Sequence, residues 1–330
     1  MNRPFAARDS GGSFTLPPGD NGPILDMCEL PDRLEIYTSA ATYMVQPPEV
    51  TDPERTNPNA QWVIAKTDEL GCSSPAVARS FLMASRVLKQ ANFDPPIDRS
   101  AILAQMHVIK GLLVTCAKTA ANFSGTVQTE MDATDRERGS RAHGGRALAH
   151  FPIINDLDQI ATTCLISAKR TIREICQLVD LFFNLDRSHS RLDHLVTELA
   201  TKVGAESALI KYLSGFTSCA ARVGKLRDGQ EHSGSTAARL YVENFKMMPT
   251  NQIRAPVWHL EGEQPRDINS DMSFIEKSLI ELVEGTFVGC VDYCLPDRFP
   301  MCFKFNDNPK PEAPVRYELV IDMSRFRVSE

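Results

Sequence analysis

The chain has 330 residues, of which 42% are hydrophobic and 24% are charged, and its 36 Lys and Arg against 42 Asp and Glu give a formal net charge of −6. This composition excludes a wholly disordered chain, and the length leaves room for about two domains. The mild acidity argues against a protein that coats nucleic acid non-specifically, although it is compatible with a local basic cleft.

The compartment and the metal content are predicted from what the sequence lacks. No run of about 18 apolar residues occurs, and the N-terminus carries no apolar export signal, so we expect a cytoplasmic protein with no membrane segment. The nine cysteines are an odd number with no CxxC spacing. This pattern favours thiols packed in the core of a reduced protein over a disulfide framework or a zinc site. We therefore expect neither a metal nor a cofactor.

The first 150 residues change character twice. Residues 1–74 are rich in Pro and Gly and predict an extended arm with short strands at 34–45 and 61–67. Apolar residues at helical spacing predict two helices within 75–123. The segment 124–150 has few large apolar residues and many Gly, Ser and charged residues, which predicts a flexible linker.

The rest of the chain is richest in helix. Residues 151–298 predict a long helix after Asp156, a shorter one after the sequence LDRSHS, a third after Gly204 and a last one after Asp271. Residues 299–330 predict a hairpin whose strands cover 301–306 and 315–322. The predicted fold class is therefore mainly α, a helical bundle with short β elements at the N- and C-termini.

Common catalytic motifs are absent from the sequence. There is no GxGxxG, no GxxxxGK[ST], no HExxH and no GxSxG, so a phosphate loop, a zinc protease and a serine hydrolase have no support.

One constellation stands out at the end of the third predicted helix, in the sequence LRDGQEH from Leu226 to His232. At about 100° per residue, Arg227 falls within about 20° of Phe216, on the apolar face of the helix. Gly229 can then end or bend the helix and let His232 turn towards the same side. A core-facing arginine is costly unless a charge or a wet cleft meets it, so this pattern indicates a site.

Arg227, Asp228 and His232 resemble the motif of the HEPN superfamily of helical nuclease-like domains, in which Arg is followed by a polar residue and, a few residues later, by His. The resemblance covers roughly residues 153–298. It implies a metal-independent endoribonuclease in which the RNA 2′-OH attacks the adjacent phosphate. His232 would move a proton, Arg227 would stabilise the phosphorane charge, and Asp228 would orient one of the two. The family also implies a homodimer and a toxin or defence setting.

Nearby cations fit an RNA ligand. Residues 160–240 hold 11 Lys and Arg against 8 Asp and Glu, and Arg222, Lys225 and Arg239 lie near the motif, where they could contact phosphates. A solvated helix face is the competing interpretation of each of these three residues.

Three alternatives stay open at this point. Arg187 and His194 have similar spacing, but Ser188 departs from the usual polar residue after Arg. Arg227 can also be explained structurally, as a cation at a helix C-terminus paired with Asp228. The chain would then be a non-catalytic helical scaffold, or a regulatory, partner-binding protein that uses its strand edges as adhesive surfaces.

Overall fold

The computed structural model describes residues 15–16, 22–94, 96–140, 148, 150–231, 238–296 and 300–322. It divides into two compact units. Unit 1 comprises Met1–His107 and Asp292–Glu330, and unit 2 comprises Val108–Val291.

The prediction of a mainly α, HEPN-like bundle is wrong. About 53% of the model is helical and 16% is strand, with four small sheets, so the protein is mixed α/β. The prediction failed because most strands have only two to five residues and show too little alternation to stand out beside the long amphipathic helices.

Unit 1 contains an antiparallel sheet with the strand order β1-β2-β3-β4. Its strands are β1 (Asp26–Leu30), β2 (Arg33–Tyr37), β3 (Thr42–Gln46) and β4 (Val63–Asp68). The region 34–45 is thus two strands joined by a turn in which the Thr38 amide donates to the Ala41 carbonyl over 3.0 Å. A short helix, α1 (Pro48–Thr51), lies between β3 and β4.

The helices of unit 1 start at Pro75, a residue whose fixed φ suits a first helical turn. They are α2 (Pro75–Val77), a π-helical turn (Ala78–Leu82) and α3 (Met83–Gln90). At the other end of the chain, β10 (Met301–Phe305) pairs antiparallel with β11 (Tyr317–Ile321), in the region where a hairpin is expected.

Helix α4 (Arg99–Ser140) contributes residues to both units and replaces much of the expected linker. Within 124–140, the hydroxyls of Thr126, Thr129 and Thr134 each donate to the carbonyl four residues earlier. This segment is therefore an ordered polar helix, while most of 141–150 lies outside the described residues. Among the described helices, α4 alone is long and apolar enough to cross a membrane, a test that a helix in the core of a globular protein also passes.

Unit 2 is built on α5 (Leu157–Phe183), α6 (Leu192–Val203), α7 (Ala208–Glu231) and α8 (Ile268–Cys294), the last of which ends in unit 1. Its strands are β5 (Leu240–Glu243), β6 (Lys246–Met247), β7 (Ile253–Arg254), β8 (Val257–Leu260) and β9 (Arg266–Asp267). They form the sheets β5-β8-β9 and β6-β7. Helix α5 ends at Asn184, which adopts a left-handed conformation with φ 46°.

The apolar stripes of these helices form the core of unit 2. Fully buried positions include Cys164, Leu165, Ile175, Leu195, Leu213, Val223 and Phe287. All nine cysteines are free, and six of them are buried. Burial raises the pKa of the Cys164 thiol to about 12, so this thiol is a core group rather than a nucleophile.

Candidate functional site

Unit 2 carries a cleft formed by helices α5 and α7 and the segment 184–193. It consists of two cavities that share Lys169 and Ser190. The first cavity has a volume of about 320 Å³ and the second about 230 Å³. We call the pair the cationic cleft, because its walls hold six cations, Lys169, Arg170, Arg173, Arg191, Lys225 and Arg227, and three carboxylates, Asp193, Asp228 and Glu231.

Arg227 lines the second cavity, on the last turn of α7. Its side chain is only 13% exposed, in line with a position on the apolar face, and it forms an ion pair with Glu231 one turn further on. The pair with Asp228 that a purely structural role predicts does not form, since the Asp228 carboxylate accepts instead from Lys169 Nζ over 2.6 Å. Asp228 therefore positions Lys169, and among the described residues it does not orient Arg227.

Gly229 does not end the helix as expected, because α7 continues to Glu231. A Cβ at Gly229 would lie 2.4 Å from the Ala238 carbonyl oxygen and 2.8 Å from Leu260 Cδ2. A real Cβ atom does not approach other heavy atoms this closely, so Gly229 lets the chain around β5 and β8 pack directly on the helix backbone. The position needs glycine for a close approach and not for a bend.

His232, the proposed proton carrier, lies outside the described residues. The last described residue before it is Glu231, which lines the second cavity. In the alternative pair, Arg187 and His194, the histidine lies on α6, and neither residue lines the cleft. The arginine of this segment that does line the cleft is Arg191.

Lys225 lines the first cavity, but the other two predicted RNA contacts lie elsewhere. Arg222 donates to the buried carboxylate of Asp271, which also accepts from Trp258 Nε1 over 2.6 Å. Arg239 places its guanidinium 5.4 Å from the centre of the Tyr241 ring. Neither arginine is among the residues that line the cleft. Arg222 therefore supports the core, and Arg239 belongs to the surface of the β5-β8-β9 sheet.

Sequence reasoning missed the contribution of α5. Lys169, Arg170 and Arg173 lie within five residues of one another, and they meet Arg227 only because α5 packs against α7. The signal available in the sequence was the basic cluster AKRTIRE in a helix that is otherwise an apolar stripe. A basic cluster on one helix does not tell which other helix it will face.

The cations of the cleft differ in how far they are neutralised. Arg191 donates to Asp193 from Nε over 3.1 Å and from Nη2 over 2.6 Å, and these hydrogen bonds lower the pKa of the Asp193 carboxyl. By contrast, Lys225 and Arg170 have no ion-pair partner in the described part of the chain. The cleft therefore contains unpaired cations beside cations that are already paired, and the unpaired ones are available to an anion.

The segment 184–193 owes its place to Glu198 on α6. One oxygen of this carboxylate accepts from the Asp186 amide over 2.8 Å, and the other contacts His189 Nε2 at 2.7 Å. The hydrogen bond with His189 lowers the pKa of Glu198. Glu198 thus holds the stretch of chain that brings Ser190 and Arg191 to the cleft.

Two other features of the sequence do not form sites in the described residues. No group of three or more His, Cys, Asp or Glu side chains in the ranges described above is arranged to hold a metal ion. Trp258 is fully buried and is a core anchor, so it does not line a cleft.

A scan against protein-family models finds no match, and searches of the curated proteins and of the solved structures find none either.

Proposed function

We propose that the cationic cleft binds the phosphate backbone of RNA and that the chain is a metal-independent endoribonuclease acting through Arg227 and His232. One observation carries the proposal: four cations from two helices, Lys169, Arg170, Arg173 and Arg227, surround a single cavity of about 230 Å³ in a chain whose net charge is −6. Clusters of cations attract phosphates, and the planar guanidinium of Arg can donate hydrogen bonds to two phosphate oxygens at once.

The proposed reaction needs two groups besides the substrate. The 2′-oxygen attacks the adjacent phosphorus while its proton passes to a base, and the bond to the 5′-oxygen breaks as that oxygen gains a proton. The products are a 2′,3′-cyclic phosphate and a 5′-OH. Arg227 stabilises the added negative charge at phosphorus, and His232, the residue after Glu231, transfers a proton. If two copies pair, each can supply one such motif to a composite cleft.

A specific observation favours a second candidate, a non-catalytic protein that uses these residues structurally. Arg227 is already paired with Glu231, and Lys169 with Asp228. A phosphate must therefore share the Arg227 guanidinium with Glu231 or displace that carboxylate. If that is unfavourable, the Lys169–Asp228 pair serves only to hold α5 against α7, and the Arg227–Glu231 pair only stabilises the end of α7.

Incubation of the pure protein with RNA in the presence of EDTA separates the candidates. We expect the wild type to produce ends with a 2′,3′-cyclic phosphate, and His232→Ala and Arg227→Ala to lose this activity by at least 100-fold. The matched control is Lys211→Ala, on the same helix as Arg227, which removes a cation from an exposed ion pair with Glu206 in the turn before that helix. Equal degradation by all four proteins would indicate a contaminating nuclease and would refute the enzymatic proposal.

Binding is tested separately from cleavage. Removing one phosphate contact to single-stranded RNA reduces the slope of log K against log salt by about 0.7. We expect Arg227→Ala and Arg173→Ala each to reduce the slope by this amount in fluorescence anisotropy, and Lys211→Ala to leave it unchanged. A wild type that binds RNA without cleaving it supports the non-catalytic candidate. Unchanged slopes in both cleft variants would show that RNA does not bind in the cleft.

A further inference from the structure

The first cavity differs from the second in shape and chemistry. Part of its lining is apolar and comes from Ile172 of α5, Leu192 at the start of α6, and Ala220 and Ala221 of α7; we call these residues the floor. The charged part of its lining, which we call the rim, includes Lys169, Arg191, Lys225, Asp193 and Asp228. A volume of about 320 Å³ lies at the lower end of the range for small-molecule pockets, which is about 300–1,000 Å³. A phosphate alone leaves most of such a floor uncovered.

The hollow exists because α7 presents small residues to it. Thr217, Ala220, Ala221 and Gly224 line the cavity at the three- and four-residue spacing of one helix face. A Cβ placed on Gly224 would meet no atom within 4 Å. The space beside the Gly224 Cα is therefore open, and a larger side chain at this position would extend from the face that lines the cavity.

The rim combines two complementary kinds of polar group. Lys225 has no ion-pair partner within the described ranges and is available to an anion, whereas Asp193 and Asp228 can accept hydrogen bonds from hydroxyl and amino groups. An apolar floor, one available cation and two acceptors together fit a ligand with a flat apolar body, hydroxyl or amino donors and one phosphate. A nucleotide carries all three.

We propose that the first cavity binds one nucleotide, with its base on the apolar floor, its hydroxyl or amino donors towards Asp193 and Asp228, and its phosphate at Lys225. The inference rests on the proposed function, since an RNA backbone in the second cavity would bring an unstacked nucleotide to the first through the shared Lys169 and Ser190. RNA-binding proteins commonly recognise sequence through such splayed bases. The same chemistry is present in a free nucleoside monophosphate, so the two sources must be distinguished.

The test uses the full chain and a variant that fills the cavity. Gly224→Leu places a side chain in the open space, and Gly215→Leu, on the exposed side of the same helix and also with nothing within 4 Å of its Cβ, is the matched control. Calorimetry with AMP, GMP, CMP, UMP, ribose 5-phosphate and inorganic phosphate measures the preference. We expect the wild type and Gly215→Leu to bind at least one nucleotide ten-fold or more tighter than phosphate, and Gly224→Leu to lose this preference while its affinity for phosphate is unchanged.

A second variant keeps the proposal testable if Gly224→Leu does not fold. Lys225→Gln removes the exposed cation of the rim, and we expect it to weaken nucleotide binding at least five-fold without changing Tm. A wild type that binds all nucleotides no better than phosphate, or a folded Gly224→Leu that keeps the preference, overturns the proposal.

Two comparisons separate the sources and the two proposals. If the nucleotide belongs to RNA, Gly224→Leu also weakens the binding of an oligoribonucleotide; if it is free, Gly224→Leu leaves the oligoribonucleotide affinity unchanged. Arg227→Ala is not used in these titrations, because Arg227 lines the second cavity and its loss would test the other proposal. If the protein binds nucleotides but no RNA, the proposed function is refuted and the nucleotide pocket is retained. If the protein cleaves RNA equally well with Gly224→Leu and shows no preference for nucleotides, the nucleotide pocket is refuted and the proposed function is retained.

Discussion

Gly229→Ala tests whether the end of α7 is held by direct contact with the chain around β5 and β8. The new Cβ would lie 2.4 Å from the Ala238 carbonyl oxygen, 2.8 Å from Leu260 Cδ2 and 3.2 Å from the Leu240 amide nitrogen. Two of these three atoms belong to the backbone and cannot rotate away as a side chain can. Either the β5 segment or the last turn of α7, which carries Arg227, must therefore move.

The expected magnitude follows from two opposing effects. Overpacking of a well-packed site costs about 1–3 kcal/mol. Against this, replacing Gly by Ala inside a helix stabilises by about 0.5–1 kcal/mol. Because backbone atoms limit the relaxation, we expect Gly229→Ala to reduce the free energy of unfolding by about 2 kcal/mol.

Gly215→Ala is the internal reference, because Gly215 lies on the same helix and its Cβ would meet nothing within 4 Å. It should stabilise by about 0.5–1 kcal/mol. The difference between the two variants largely cancels the helix-propensity effect and leaves the cost of the close approach.

Urea unfolding measured by tryptophan fluorescence reports on the correct unit. Trp258 is fully buried in unit 2, and the exposed Trp62 can be replaced by Phe in all variants to remove its signal. If Gly229→Ala unfolds at the same urea concentration as Gly215→Ala, or at a higher one, the close contact does not constrain the helix and the reasoning is wrong.

Three further predictions concern charged groups. Asp271→Asn leaves Arg222 without its buried carboxylate and should cost about 3 kcal/mol in urea unfolding, as for other broken buried pairs. Burial raises the pKa of Glu276, so the charged carboxylate destabilises the fold as pH rises through that pKa. Glu276→Gln should therefore unfold at a higher urea concentration than the wild type at pH 7, and at the same urea concentration at low pH. Glu198→Ala removes the acceptor of the Asp186 amide, whose hydrogen exchange should become faster by at least ten-fold.

Each of these three has a control and an outcome that contradicts it. Glu206→Gln, in an exposed pair with Lys211, should change stability by less than about 1 kcal/mol, and an equal loss in Asp271→Asn would show that burial adds nothing. Glu281→Gln, on the exposed side of α8, is the matched control, and a gain equal to that of Glu276→Gln would exclude burial as the cause. In Glu198→Ala, an unchanged exchange rate at Asp186 would mean that other contacts hold the segment.

The long helices could be predicted from the sequence because their signals are local. The apolar stripe that predicts a helix after Asp156 gives α5, which starts at Leu157, and the stripe after Gly204 gives α7, which starts at Ala208. The small sheets could not be predicted in this way. Strand β5 pairs with β8, and the sequence between them contains the two-residue strands β6 and β7. A two-residue strand is too short to show an alternating pattern.

The segment 124–140 shows a second limit. Its composition is that of a linker, with few large apolar residues, yet it is the continuation of α4. Its helix is reinforced by polar contacts one turn apart, such as the 2.7 Å hydrogen bond from Gln128 to Asp132. Composition measures the capacity to form a core, and an exposed helix anchored by its apolar N-terminal half needs little core of its own.

The candidate site was predictable only in part, for the same reason. Arg227 and Lys225 could be selected from the pattern of α7 alone, whereas Lys169 and Arg191 reach the cleft through the packing of α5 and the hydrogen bonds of Glu198. Arg222 is the reverse case: close to the motif in sequence, it is drawn to Asp271 on the other side of its helix. Proximity along the chain is therefore a poor guide to which cations share a ligand.

The pairing of charges in the cleft constrains the kind of ligand that it can serve. In the absence of an anion, Glu231 and Asp228 relieve the mutual repulsion of Arg227 and Lys169, which lets cations from two helices lie side by side. A phosphate that enters must share those cations with the carboxylates or release the carboxylates to solvent, so the net gain for each contact is smaller than for a bare cation cluster. Affinity then depends on the number of phosphates that bind together and falls steeply with salt. Such a cleft is suited to a polyanion that binds and leaves, and poorly suited to a permanently held anionic cofactor.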